Sequence, residues 1–201
     1  MIKLITSTLA VSLMAMSLSP VSAKPFKHKF GEWREYNSAW LAVCPEKLEP
    51  EKAKFDTYYD HCWAVAESAE KNNIGYPVYS FRFHRQRVTG AMEISFTYAD
   101  GGQDKLDVSQ PMTMQFDGGD GTNLSFSTSL ETRFNTINEY FIKDETQKNF
   151  ILKNLRERNH LTVSVPLTTP QSDKRSKAVN IWLKGVQASE AFMKAYANAN
   201  Q

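Results

Sequence analysis

Along most of the chain, apolar and polar residues alternate in short runs separated by turn formers. In residues 78–88, Tyr79, Phe81 and Phe83 fall on one side of an extended backbone and Ser80, Arg82 and His84 on the other. That period of two marks a half-buried β-strand. Residues 92–98 repeat it, with Ile94, Phe96 and Tyr98 against Ser95 and Thr97, and Thr89–Gly90 between the runs predicts a tight hairpin. Shorter strands are predicted at 40–43, 62–67, 111–116 and 124–126, with turns at 72–75, 100–102 and 117–121. Leu161, Val163, Val165 and Leu167 alternate with Thr162, Ser164 and Pro166, so this strand should carry its proline at an edge or near its end. Val179, Ile181 and Leu183 form the last strand.

Between 130 and 158 the alternation gives way to helix formers. Asp144, with Gln147 three residues on, resembles a capping box ahead of Phe150, Ile151 and Leu155, which predicts a helix over 147–157 and a further one before it. Residues 188–197 have helical composition, with Phe192, Met193 and Tyr196 on one stripe. Many short strands with one or two helices predict a mainly β fold, an antiparallel β-sandwich or partly open barrel.

The first 23 residues read differently. Lys3, an apolar run from Leu4 to Leu18, Pro20 and the small-residue pattern Val21, Ser22, Ala23 have the layout of a secretory signal peptide cut after Ala23. The apolar run is short and rich in Ser and Thr for a membrane span. Residues 24–201 then form a single domain whose formal charge drops from +2 to +1 with the loss of Lys3. Acids and bases are interspersed, which argues against nucleic acid as a partner, and no later stretch approaches the length of a transmembrane segment. The expected location is periplasmic or extracellular.

The chain holds two cysteines, Cys44 and Cys62, inside the aromatic-rich stretch from Phe30 to Ala69. In an oxidising compartment such a pair is expected to form a disulfide, the alternative being two buried free thiols. CxxC spacing is absent, and so are the nucleophile elbow, the HExxH zinc motif and the phosphate-binding loop.

Candidate sites follow from residue type. Tyr58, Tyr59 and His61 beside the cysteine, with Arg82 and His84 on the first long strand, are candidates for a ligand platform for an envelope protein, lipid or glycan. The bland reading makes the aromatics core and the Arg82 strand a solvated, charge-rich edge. Asp56, Asp60 and His61 are grouped too loosely to favour a metal over a loop beside a disulfide. Together with His160 they are also the only footing for an envelope-directed hydrolase, which is an alternative function, as is an assembly factor. The Asp117–Gly121 stretch reads as a hairpin turn rather than a calcium loop. No cofactor is expected.

With FGEW at 30–33, the downstream cysteines, and the closing order NFILKNLRERN, LTVSVPL, VNIWLKG, VQASEAFMKAY, the chain resembles the invasion-associated locus B family of exported bacterial proteins. The resemblance implies a β-rich envelope protein and carries over no active-site residue. It departs from the family pattern in two respects: ten residues separate Trp33 from Cys44, and no later cysteine pair exists, the stretch 128–142 standing where one would be expected.

Overall fold

The computed structural model describes residues 23–53, 56–99, 104–133, 138–169 and 174–197. Residues 1–22 of the expected signal peptide and the turn at 100–102 lie outside the described residues. In chain order the strands are β1 (Phe26–His28), β2 (Glu32–Asn37), β3 (Trp40–Pro45), β4 (His61–Glu67), β5 (Tyr79–Gln86), β6 (Met92–Tyr98), β7 (Lys105–Leu106), β8 (Met112–Phe116), β9 (Gly121–Leu124), β10 (Leu130–Thr132), β11 (Glu139–Ile142), β12 (His160–Thr168) and β13 (Lys174–Trp182). The helices are α1 (Pro50–Ala53), α2 (Glu145–Glu157) and α3 (Val186–Tyr196), and one 3₁₀ turn covers Thr57–Tyr59.

Two open antiparallel sheets form. The larger runs β1-β2-β3-β4-β5-β6-β11-β10, the smaller β13-β12-β8-β9 with β7 paired to the end of β12. Alternation decides which side chains enter the space between them. Trp40 and Ala42 of β3, Ala64 of β4, Phe81 and Phe83 of β5 and Ile94 and Phe96 of β6 are buried together with Leu161, Val163 and Val165 of β12. Ile151 and Leu155 of α2 and Phe192 and Met193 of α3 enter the same core. The expected sandwich is therefore the observed architecture, with sheets that do not close into a barrel.

Cys44 and Cys62 form a disulfide, and neither is exposed. The β3–β4 register pairs Val43 with Trp63, which sets the two cysteines directly opposite one another on adjacent strands. A bridge closing a loop of this size contributes about 3 kcal/mol, chiefly by restricting the unfolded chain.

One local reading is corrected, and one is met in its second form. The segment before α2, expected to be helical, supplies β10 and β11 instead. Glu139, Tyr140 and Phe141 pair with Thr97, Phe96 and Ser95, so this short stretch extends the sheet beyond β6 and buries Phe141 and Ile142. Burial against an existing edge outweighs weak helix propensity. Pro166 lies on β12, a central strand, yet near its end. It pairs with Ser176 on one side, and on the other it falls in the gap between the β8 and β7 ladders, where its missing N–H breaks no bond.

The predicted cap of α2 forms by half. The Asp144 carboxylate accepts from the Gln147 backbone N–H at 2.8 Å. The Gln147 side chain, which would complete a capping box, turns to the Thr122 hydroxyl and the Asn123 carbonyl and so pins the helix to β9.

Candidate functional site

The outward face of the large sheet carries the sequence-predicted residues. Cross-strand pairing places Trp63 beside His84, and His84 beside Glu93. Val65, Arg82 and Ser95 form the next row, which continues to Phe141. This face should be solvated, but His61, His84, Ser95 and Glu139 are all buried. The expectation that Arg82–Arg87 lies on a charge-rich edge strand is corrected: β5 is interior to its sheet, between β4 and β6.

A polar network holds these groups. The His84 Nε2 lies 2.8 Å from the Ser95 hydroxyl, which donates to Glu139 Oε1 at 2.7 Å. Arg82 reaches the same carboxylate at 3.4 Å. His61 Nδ1 bonds to the Asp60 carboxylate, and its Nε2 makes a 3.5 Å ionic contact with Glu93. Glu93 in turn accepts from Arg133 at 2.7 Å, Arg133 bonds to Glu131 at 2.6 Å, and its guanidinium lies 4.6 Å above the Phe141 ring. The His61 and His84 rings meet edge to face at 6.2 Å. Opposite charges face one another throughout, which offsets part of the cost of burying them, although Arg82 Nε, His84 Nδ1 and Glu93 Oε2 make no hydrogen bond.

Tyr58 and Tyr59 sit beside this network in the 3₁₀ turn, half-buried. Tyr58 packs on Trp63 at 5.5 Å and on Tyr59 at 5.3 Å. Its hydroxyl bonds to Glu32 at 3.3 Å, and burial, with the negative charge of Glu32, pushes it up to about 12. Of the five candidate residues, His61, Arg82 and His84 share the outward face, Tyr58 packs on it through Trp63 and Tyr59 packs on Tyr58; Tyr58, Tyr59 and Arg82 are half-buried and the two imidazoles buried. The aromatics of β2 do not join it as a single surface. Trp33 faces inward against Tyr196 of α3, while Tyr36 is exposed and stacks on Phe26.

Glu93, Ser95, Glu139 and Arg133 are not among the candidate site residues that the sequence singles out. The first two were accessible to it, because the hairpin register that sets Arg82 opposite Ser95 and His84 opposite Glu93 follows from the alternation of β5 and β6. Glu139 and Arg133 were not, because they depend on β10 and β11 joining the sheet.

The network makes stability depend on pH. Burial first, then the charges of Arg82 and His61, push the His84 imidazole down from its ordinary 6.5 to about 3. Burial opposes a charge on Glu93, but its contacts with His61 and Arg133 outweigh it and hold the carboxyl at about 2. For His61 burial again works against charge, and Glu93 and Asp60 prevail, raising its pKa. A depressed folded-state pKa means that stability is lost as pH falls, over 6.5 to 3 for His84 and 4.5 to 2 for Glu93. His61 has the opposite sign, its contribution being complete below about 6.5 and lost as pH rises through its raised value. Denaturant titrations are therefore expected to show a loss of about 2 kcal/mol or more between about pH 7 and pH 4. His84→Gln keeps a donor toward Ser95 and should flatten that slope; an unchanged slope would show that His84 does not carry it.

The hydrolase grouping is not assembled. Asp56 is exposed and accepts the Tyr58 N–H, and Asp60 is engaged by His61. His160 begins β12 of the other sheet and packs on Trp182 at 4.1 Å. Ser95 sits between His84 and Glu139 with no exposed surface, so the His–Ser–acid order is not that of a nucleophile activated by a base. In the turn at 117–121, the Asp117 carboxylate accepts the backbone N–H groups of Asn159 and His160, and Asp120 pairs with Arg158. Among the described residues, no group of three or more His, Cys, Asp or Glu is placed to hold a metal ion.

These features define a disulfide-bonded, two-sheet antiparallel β-protein whose outer face carries an internally paired polar network. The same fold is found in the crystal structure of invasion associated protein B from Bartonella henselae, with a TM-score of 0.52 at 16% sequence identity over 82% of this chain and 98% of that one. The likeness establishes a shared fold. No family model matches the chain, and neither does any curated protein sequence.

Proposed function

We propose that the chain is an exported envelope protein of the invasion-associated locus B type, acting as a binding or interaction module rather than as an enzyme. The observation that carries this reading is the shared fold, which spans nearly the whole of the solved protein. The secretory layout of residues 1–23 and the bridged Cys44–Cys62 pair support it, since disulfides persist in oxidising compartments. In this reading residues 24–201 are one domain and the mature protein is periplasmic or extracellular. Its partner is an envelope protein, lipid or glycan met by Tyr58, Tyr59 and Arg82, with His61 and His84 as the buttress. No helix among the described residues is long and apolar enough to cross a membrane.

Expression of the full chain in a Gram-negative host tests the reading. The periplasmic fraction should yield a species beginning at Lys24 whose intact mass lies two hydrogens below the dithiol form. A cytoplasmic product that retains its first residues, or one with two alkylatable thiols, would sink it. On the captured envelope component, Tyr58→Ala combined with Arg82→Ala should weaken retention at least tenfold at a temperature where circular dichroism shows the variant still folded.

A further inference from the structure

A broad concavity lies at the opposite end of the β2–β3 hairpin from Cys44. It is a cleft of about 710 Å³ between the β2–β3 turn, the end of α2, the start of β12, and the junction of β13 with α3. Its size suits a small organic ligand rather than an ion, within the range that drug-sized molecules fill.

The lining has a distinctive chemistry. Trp182 is 60% exposed, its ring inclined at 60° to that of His160 with centroids 4.1 Å apart and its backbone carbonyl held by the Trp40 indole N–H at 2.9 Å. A large exposed aromatic ring held in place is a ready stacking surface. Planar polar groups share the lining: Asn159, whose Nδ2 donates to Asp117, Gln187, whose Nε2 donates to the Arg156 carbonyl, and the guanidinium of Arg158, which also bonds to Asn154 and Asp120. The cations do not make a net positive pocket. Arg156 is paired with Glu190 and Arg158 with Asp120, and the lining also contains both Asp117 and Lys184.

Backbone geometry makes the cleft stiff. Ser38 at its margin holds a left-handed φ of 58°, and Gly185 packs its backbone directly on the Asn37 carbonyl. The Asn37 side chain also donates to Ser189 of α3. Preformed walls lower the ordering cost of binding.

From the exposed indole, the ring of planar donors and acceptors and the balanced charge, we infer that this cleft is a saccharide-binding site. A pyranose ring presents an apolar C–H face that stacks on an indole and vicinal hydroxyls that pair with amide and guanidinium groups. A phosphate or free carboxylate would need an excess of cations, which the paired arginines do not supply. The inference depends neither on export nor on the sheet-face platform.

Testing uses the purified residue 24–201 protein on an immobilised array of neutral, N-acetylated and uronic-acid oligosaccharides, followed by titration of the best hit with intrinsic fluorescence. Binding to at least one neutral or N-acetylated oligosaccharide is expected, with a shift of tryptophan emission. Trp182→Ala should abolish that shift and weaken binding at least tenfold, and Gln187→Ala should weaken it severalfold. Both positions are exposed, so both variants should unfold at the wild-type temperature. The inference is overturned by an empty array, by binding that survives Trp182→Ala, or by preference for uronic acids or inorganic phosphate over neutral sugars.

Discussion

Replacing Trp40 with alanine is expected to lower the unfolding free energy by about 4 kcal/mol. The side chain is fully buried, with its ring 5.1 Å from Phe83 and 6.2 Å from Phe81. It also joins the two sheets: Trp40 stands on β3, and its indole N–H donates to the carbonyl of Trp182 on β13. Alanine removes the packing, leaves a void that neighbouring β-strands cannot collapse to fill, and strands a part-buried carbonyl. Trp40→Phe restores most of the volume without the donor and should lose about 1–2 kcal/mol. Urea titration separates the two, and a cost for alanine no larger than for phenylalanine would mean that the seam between the sheets is not held at this residue. Because a domain of this size has about 5–15 kcal/mol in hand, the alanine variant should be close to unfolding at growth temperature.

Gly185→Ala is expected to cost about 3 kcal/mol, more than the backbone conformation alone would demand. Gly185 is the N-cap of α3 with φ at 106°, where an L side chain is strained. An added Cβ would stand 2.0 Å from the Asn37 carbonyl oxygen and 2.8 Å from its carbon. Those are backbone atoms of the β2–β3 turn and cannot swing aside like the tip of a flexible side chain. Gly75→Ala is the control: its φ is 87°, but nothing lies within 4 Å of the new atom, so only the conformational part, about 1 kcal/mol, should appear. Equal losses at the two positions would show that the turn and α3 do not pack closely. Gly185→Ala should also disturb the emission of Trp182, which lines the same cleft.

Much of this fold is legible in the chain. The alternation of residues 78–88 and 92–98 yields β5, β6 and their pairing, although the connection between them is a five-residue bend, Gln86 bonding to Ala91, rather than a two-residue turn. Leu161 to Leu167 yields the most heavily paired strand of the second sheet, and Asp144 marks the start of α2. The site is only partly legible. That Arg82 and His84 share one side of β5 follows from alternation, and Tyr58 and His61 are candidates by residue type. Their burial does not follow, because alternation says which residues share a side but not whether that side is covered.

The sequence by itself determined the period-two core, the cap of α2, the pairing of Cys44 with Cys62 and the likeness to an exported β-rich family. These depend on neighbours within a few residues or, for the cysteines, on there being one pair. Tertiary structure alone decided that residues 139–142 become a strand, that the charges around His84 close into a buried network, and that Trp182, Asn159 and Gly185 frame a cleft. Each of those depends on contacts between residues far apart in the chain, and their free energy appears only when both sheets are in place.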